Sequence, residues 1–187
     1  YIERFPCDYF SSLRSYSRLL LNKEFYTRYG QYEYMLLYQL DAWVFRDELE
    51  YWCDKDYDLI GAPWFEGYGN ADEDSPFIEP SANGGFSLRR IPKFIAVLSE
   101  LETRWWGFYY KKKFNKGHED TRIVKYFPRI SRDFKIAPAS EAMRFSFETL
   151  PHRLYKEIGG LPFGCHAFER HNWNFWKDHI NIDGILE

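Results

Sequence analysis

The chain has 187 residues, a length for one domain with no room for two large ones. Lys and Arg number 25 against 28 Asp and Glu, a formal charge of −3, and the lack of a basic excess argues against nucleic acid as a partner. Apolar residues at 45% and charged residues at 28% are the composition of a folded globule rather than a disordered chain. No run of about 18 uncharged apolar residues occurs, so no transmembrane segment is expected, and no signal peptide is visible.

The aromatic content stands apart: Trp 7, Tyr 15 and Phe 17 make 21% of the chain. Such a content builds either a bulky core or a groove that stacks on the flat face of a sugar or a base. Cys7, Cys53 and Cys165 are an odd, widely spaced set without a Cys-x-x-Cys pair, which points to reduced thiols and a cytoplasmic protein. The chain opens on Tyr1 rather than methionine and is expected to be a fragment lacking upstream residues.

In chain order, Ser11 to Leu21 reads as a helix with Leu13, Tyr16, Leu20 and Leu21 on one side and serines to cap it. A second helix from Lys23 to Tyr29 stops at Gly30. Glu33 to Gln39 is an apolar run of strand length that ends in Leu40-Asp41-Ala42, so a buried strand delivers a carboxylate at its C-terminal end. Asp47 to Lys55 reads as a short helix capped by Asp47, and Asp58 to Ala62 as a buried strand stopped by Pro63. Phe65 to Ala82, rich in Gly, Pro and acidic residues, reads as one long loop.

Asn83 to Arg89 is a glycine pair followed by a strand. Ile91 to Leu101 is an amphipathic helix with Ile91, Phe94, Ile95, Leu98 and Leu101 inward. Lys111 to Lys116 is a basic turn, and Glu119 to Ile130 a further amphipathic helix with Ile123, Val124, Phe127 and Ile130 inward. Phe134 to Ala137 is a short strand, and Glu141 to Phe147 is a helix or a strand. Gly159-Gly160 opens a turn, and Pro162 to Phe168 carries Cys165-His166. Strands alternating with helices give an α/β fold.

No Walker loop, dinucleotide fingerprint or nucleophile elbow is present. The polar residues left at element ends are Gln39, Asp41, Asn83 to Gly85, His118 to Asp120 and His166. Asp41 is either a cap or a ligand for a hard cation. Paired with His166 it makes an oxygen–nitrogen set that suits manganese, and magnesium less well. Glu119-Asp120 either complements a helix N-terminus or supplies a general base. Asn83-Gly84-Gly85 is either a plain turn or a point where backbone approaches a ligand. Trp64, just before the long loop, is a candidate platform for a sugar face.

Taken together, the blocks YQLDAWVF (38–45), IGAPW (60–64), NGGFSLRR (83–90), HED (118–120) and LPFGCHAF (161–168) resemble an uncharacterised bacterial family grouped with GT-A-type glycosyltransferases and linked to surface-polysaccharide genes. The resemblance implies a GT-A-like α/β domain over residues 1–187, with a mixed sheet flanked by helices. The family fold starts with a βαβ nucleotide-binding segment that does not precede Tyr1, so the domain is expected to be truncated at its N-terminus. It implies a metal-dependent transferase that moves a sugar from a nucleotide-diphosphate donor to a glycan or other hydroxyl acceptor, in the cytoplasm or at the inner face of the membrane. Block by block, Asp41 takes the place of the last carboxylate of the Asp-x-Asp motif and Asn83, Gly84 and Gly85 that of the acceptor-side glycine loop. Glu119 and Asp120 take the place of the catalytic acidic pair, with Asp120 the base, and His166 that of the metal-binding histidine. Gln39 stands where the motif has its first Asp, which implies that the donor diphosphate completes the hold on the ion. Other readings of the same residues are a non-catalytic sugar- or nucleotide-binding module and a metal-dependent hydrolase.

Overall fold

The computed structural model describes residues 2–105, 107 and 117–181. The basic turn expected at Lys111 to Lys116 lies outside them. Helices and strands alternate in the order α1 (Leu13–Leu20), α2 (Lys23–Thr27), β1 (Tyr34–Tyr38), β2 (Ala42–Val44), α3 (Leu49–Asp54), β3 (Leu59–Gly61), β4 (Trp64–Phe65), β5 (Phe77–Ile78), β6 (Phe86–Arg90) and α4 (Ile91–Thr103). The order continues with α5 (Glu119–Ile130), α6 (Ala139–Phe145), β7 (Ser146–Phe147), α7 (Pro151–Ile158), β8 (Gly164–His166) and α8 (Trp173–Trp176). The fold is α/β, with small sheets and helices. Among the described residues no helix is long and apolar enough to cross a membrane. The chain divides into two compact units, Tyr1–Met35 with Arg89–Lys135 and Leu36–Leu88 with Ile136–Glu187.

The first unit is helical. Helix α1 starts in a capping box: the Ser12 hydroxyl accepts from the Ser15 N–H and the Ser15 hydroxyl from the Ser12 N–H. Its buried positions are Ser15, Ser17, Leu19 and Leu20, whereas Leu13, expected inward, is exposed. Ser17 faces inward because it has a buried acceptor, the Glu119 carboxylate, while the Ser15 hydroxyl is held in the capping box with Ser12. The core is aromatic, with the Phe94 ring packed on Tyr26, Phe127 and Phe134 at centroid distances of 4.8, 5.3 and 5.7 Å. Helix α4 buries Ile91, Phe94, Leu98 and Leu101 as expected, with Val97 buried and the expected Ile95 only half-buried, and α5 buries Ile123, Val124 and Phe127 with the expected Ile130 half-buried.

In the three-stranded sheet ordered β1-β6-β3, β6 is central, so it is buried through Phe86–Arg89, while β1 at the edge is only half-buried. The buried strand expected at Glu33 to Gln39 is thus an edge strand. The second unit carries a further sheet, β2-β8-β7, with β2 antiparallel and β7 parallel to β8. Its strands have three, three and two residues, too short for a sequence period. The expected long loop contains a third sheet, β4 antiparallel to β5, and a 3-10 turn at Tyr68–Asn70. The expected strand at Phe134 to Ala137 reduces to one parallel bridge between Leu59 and Ile136. The segment Glu141 to Phe147 is helix α6 followed by β7. Helix α3 begins after Glu48 rather than Asp47, with no side-chain cap bond. A core of Trp52, Phe86, Phe145 and Phe163 rings fills this unit, and a second gathers Phe147, Phe175 and Trp176. These rings are buried, so they build core rather than a groove.

Candidate metal centre in the second unit

The short sheet β2-β8-β7 places three polar side chains side by side. Ser146 pairs with Gly164 and Phe147 with Cys165 in the parallel ladder, so the next residue, Glu148, comes alongside His166. In the antiparallel ladder Ala42 pairs with His166, and its methyl leaves room for an imidazole on that face. A tight turn, closed by the Ala42 N–H donating to the Gln39 carbonyl at 3.0 Å, leads into β2 and carries Asp41. Asp41 Oδ1 lies 3.3 Å from His166 Nε2, and Gln39 Oε1 lies 3.1 Å from the same nitrogen. On the other side of the ring, Nδ1 lies 3.1 Å from Glu148 Oε1. His166 is buried at 8% exposure, whereas the Asp41 side chain is 41% exposed and marks the open side.

A chain of hydrogen bonds behind the histidine sets its orientation. The Gly85 N–H donates to Asn83 Oδ1 at 2.8 Å, so the Asn83 amide must turn its Nδ2 the other way. That Nδ2 donates to Glu148 Oε1 at 2.8 Å. Glu148, an acceptor, then takes the Nδ1 proton of His166. The Gly84 carbonyl accepts from the Ser87 hydroxyl at 3.0 Å, and the Gln39 N–H donates to the Gly85 carbonyl at 3.0 Å. At Gly85 of Asn83-Gly84-Gly85 a Cβ would lie 2.0 Å from His166 Nε2.

The 3.1 and 3.3 Å from Nε2 to Gln39 Oε1 and Asp41 Oδ1 are hydrogen-bond distances that are also compatible with three neighbouring ligands of a hard divalent cation. An octahedral ion with bonds near 2.1 Å holds neighbouring ligand atoms roughly 3.0 Å apart, close to the distances found here. Two protein oxygens and one imidazole nitrogen suit manganese or magnesium and leave half the shell for other oxygens. Among the described residues no group of three or more His, Cys, Asp or Glu side chains gathers on one point; the third donor here is an amide oxygen. The neighbouring Cys165 thiol is pushed well up from its ordinary value by burial, so it stays protonated beside the site.

The acidic pair lies in the first unit, at the start of α5. Glu119 is buried, with Oε1 3.5 Å from Arg89 and Oε2 accepting from the Ser17 hydroxyl at 3.1 Å. Both of its oxygens are thus engaged in the interior. Arg89, itself fully buried, also donates to the Tyr26 hydroxyl at 2.9 Å. Burial pulls the guanidinium down, but Tyr26 and Glu119 more than offset it and hold the group above its ordinary value. Asp120 is half-buried, and its Oδ1 accepts from the N–H and the hydroxyl of Thr121 at 2.6 and 3.2 Å. In the second unit, Trp64 is buried in β4 with its N–H backbone bonded to the Ser81 hydroxyl, and the exposed ring near it is Tyr68, at a centroid distance of 6.3 Å.

A family model described as a protein of unknown function (DUF5672) matches residues 1–166. The chain belongs to the DUF5672 family. No curated protein and no solved structure matches it. The DUF5672 match ends on His166 and so takes in Gln39, Asp41, Asn83, Gly85, Glu148 and His166. Glu148 is the residue beside His166 that sequence reading missed. Its only local signal is a carboxylate directly after the buried pair Ser146-Phe147, and a two-residue strand gives no period by which to find it.

Proposed function

We propose that this chain is a metal-dependent glycosyltransferase of GT-A type, carrying a sugar from a nucleotide-diphosphate donor to a hydroxyl of a glycan, with surface polysaccharide the fitting acceptor class. The observation that carries this reading is the gathering of Gln39, Asp41 and His166 Nε2 within 3.3 Å at the end of two strands. A divalent cation held there, manganese by preference and magnesium second, would offset the charge that develops on a departing diphosphate. Gln39 and Asp41 contribute to donor binding on the open side, and the Asn83-Gly84-Gly85 turn backs the histidine. Asp120 is the base that takes the acceptor hydroxyl proton, a contribution of roughly 10²- to 10⁴-fold in rate. Glu119 holds the start of α5 through Arg89. Tyr68, with its ring exposed where Trp64 is buried, is the better stacking face for a sugar. The cytoplasmic face of a membrane is the location this chemistry favours.

The test is a screen of nucleotide-diphosphate sugars with Mn2+, reading released nucleotide and binding heat together. Release of nucleoside diphosphate that depends on Mn2+ and on an added hydroxyl acceptor is the expected result. Binding without turnover would favour a sugar- or nucleotide-binding module, a reading supported by Gln39 standing where a second carboxylate would grip the ion. Absence of both binding and turnover would remove the transferase reading.

A further inference from the structure

We infer that Glu148 is a positioning residue for the cation site: it fixes His166 in the tautomer whose Nε2 lone pair faces Asp41 and Gln39. The inference rests on the transferase reading in one respect, that a divalent cation occupies that side of the ring.

The Gly85 backbone N–H can only donate, so the Asn83 atom facing it is oxygen and the Asn83 atom facing Glu148 is the NH2 group. Glu148 Oε1 receives that NH2 at 2.8 Å and His166 Nδ1 at 3.1 Å. A carboxylate offers no proton, so Nδ1 must carry one. A metal bound by the opposite nitrogen uses that nitrogen's lone pair. Nε2 faces two oxygens, Gln39 Oε1 at 3.1 Å and Asp41 Oδ1 at 3.3 Å. Metal binding takes Nε2 without a proton, so with a cation on that side the ring holds its one hydrogen on Nδ1 and Glu148 accepts it. The far end of the chain is a backbone amide, which cannot rotate away, so the orientation passes from the Gly85 peptide through Asn83 and Glu148 to the imidazole. A carboxylate on the outer nitrogen of a metal-binding histidine both orients the ring and raises its basicity, and its loss usually costs 10- to 100-fold in metal affinity.

A purely structural Glu148 would staple Asn83 to β8 with no effect on metal beyond loss of fold. Two readouts separate the cases. Mn2+ affinity is measured from the free-ion electron paramagnetic signal, with Mn2+ alone and with uridine or guanosine diphosphate, in wild type, Glu148→Gln and Glu148→Ala. The tautomer of His166 is read from its imidazole 15N shifts without metal. We expect Glu148→Ala to weaken Mn2+ by roughly 10- to 100-fold and to lose the Nδ1–H signature. Glu148→Gln, which keeps an oxygen acceptor, should recover the tautomer and part of the affinity, and it covers the case in which the alanine variant fails to fold. A wild type that binds Mn2+ alongside variants of unchanged affinity and tautomer would overturn the positioning role and leave the transferase reading intact. A wild type that binds no Mn2+ under any nucleotide condition would overturn both.

Discussion

Gly85 and His166 share one small space: a Cβ added to Gly85 would lie 2.0 Å from Nε2, 2.3 Å from Cε1 and 2.5 Å from Cδ2 of the imidazole. The ring therefore lies against the glycine backbone, on the side of the nitrogen that faces Asp41. The absent side chain serves the histidine directly and any ligand only through it.

Gly85→Ala is accordingly expected to displace the imidazole and abolish Mn2+ binding. Overpacking of this kind costs about 1–3 kcal/mol, so the protein should still fold at room temperature. Isothermal calorimetry with Mn2+ and a nucleoside diphosphate, next to a thermal melt, checks it. A folded Gly85→Ala protein that binds metal like wild type would mean that Nε2 is not a ligand.

Asp41→Asn tests the open side of the same site. One imidazole, one carboxylate and one amide oxygen fill half of an octahedral shell, so phosphate oxygens complete it. Manganese should then bind weakly alone and more tightly with a nucleoside diphosphate. The variant is expected to lose the nucleotide-dependent part of that binding. Equal calorimetric isotherms for variant and wild type would take Asp41 out of the site.

The sequence made some parts of this legible and hid others for physical reasons. Helices α4 and α5 were readable because each runs over three turns with a sustained apolar stripe, and Asp41 because it follows an apolar run. The strands that deliver Glu148 and His166 have two and three residues, too short to show a period. The inward Ser17 of α1 and the buried Arg89 ran against composition rules, since each is buried against Glu119, a partner distant in the chain. The pairing of Gly85 with His166 spans two distant segments and could be seen only in three dimensions.

Glu119→Gln should act on stability. The substitution keeps size but removes the counter-ion of Arg89, which has no exposure to water. Breaking a buried ion pair from one side costs about 3–5 kcal/mol. At about 2–4 °C per kcal/mol for a chain of this length, the melting temperature should fall by roughly 6–20 °C. A melt within a degree or two of wild type would show that Ser17, Tyr26 and water can satisfy Arg89 without the carboxylate.

Asp120→Asn should act on rate instead, although the two residues are adjacent. The Asp120 side chain is half-buried, and its Oδ1 accepts from the N–H and the hydroxyl of Thr121. Asparagine retains that oxygen, so the first turn of α5 should keep its geometry and the melting temperature should hardly move. What the substitution removes is the ability to accept a proton. A base acts in the transition state more than in ground-state binding, so its loss lowers turnover with little change in affinity. Transfer is therefore expected to fall by roughly 10²-fold or more while calorimetric donor binding stays at the wild-type value. The measurement is single-turnover transfer on the Mn2+-loaded protein with the donor found in the screen. Wild-type transfer by Asp120→Asn would put the base elsewhere. A loss of donor binding equal to the loss of rate would instead make Asp120 a binding residue.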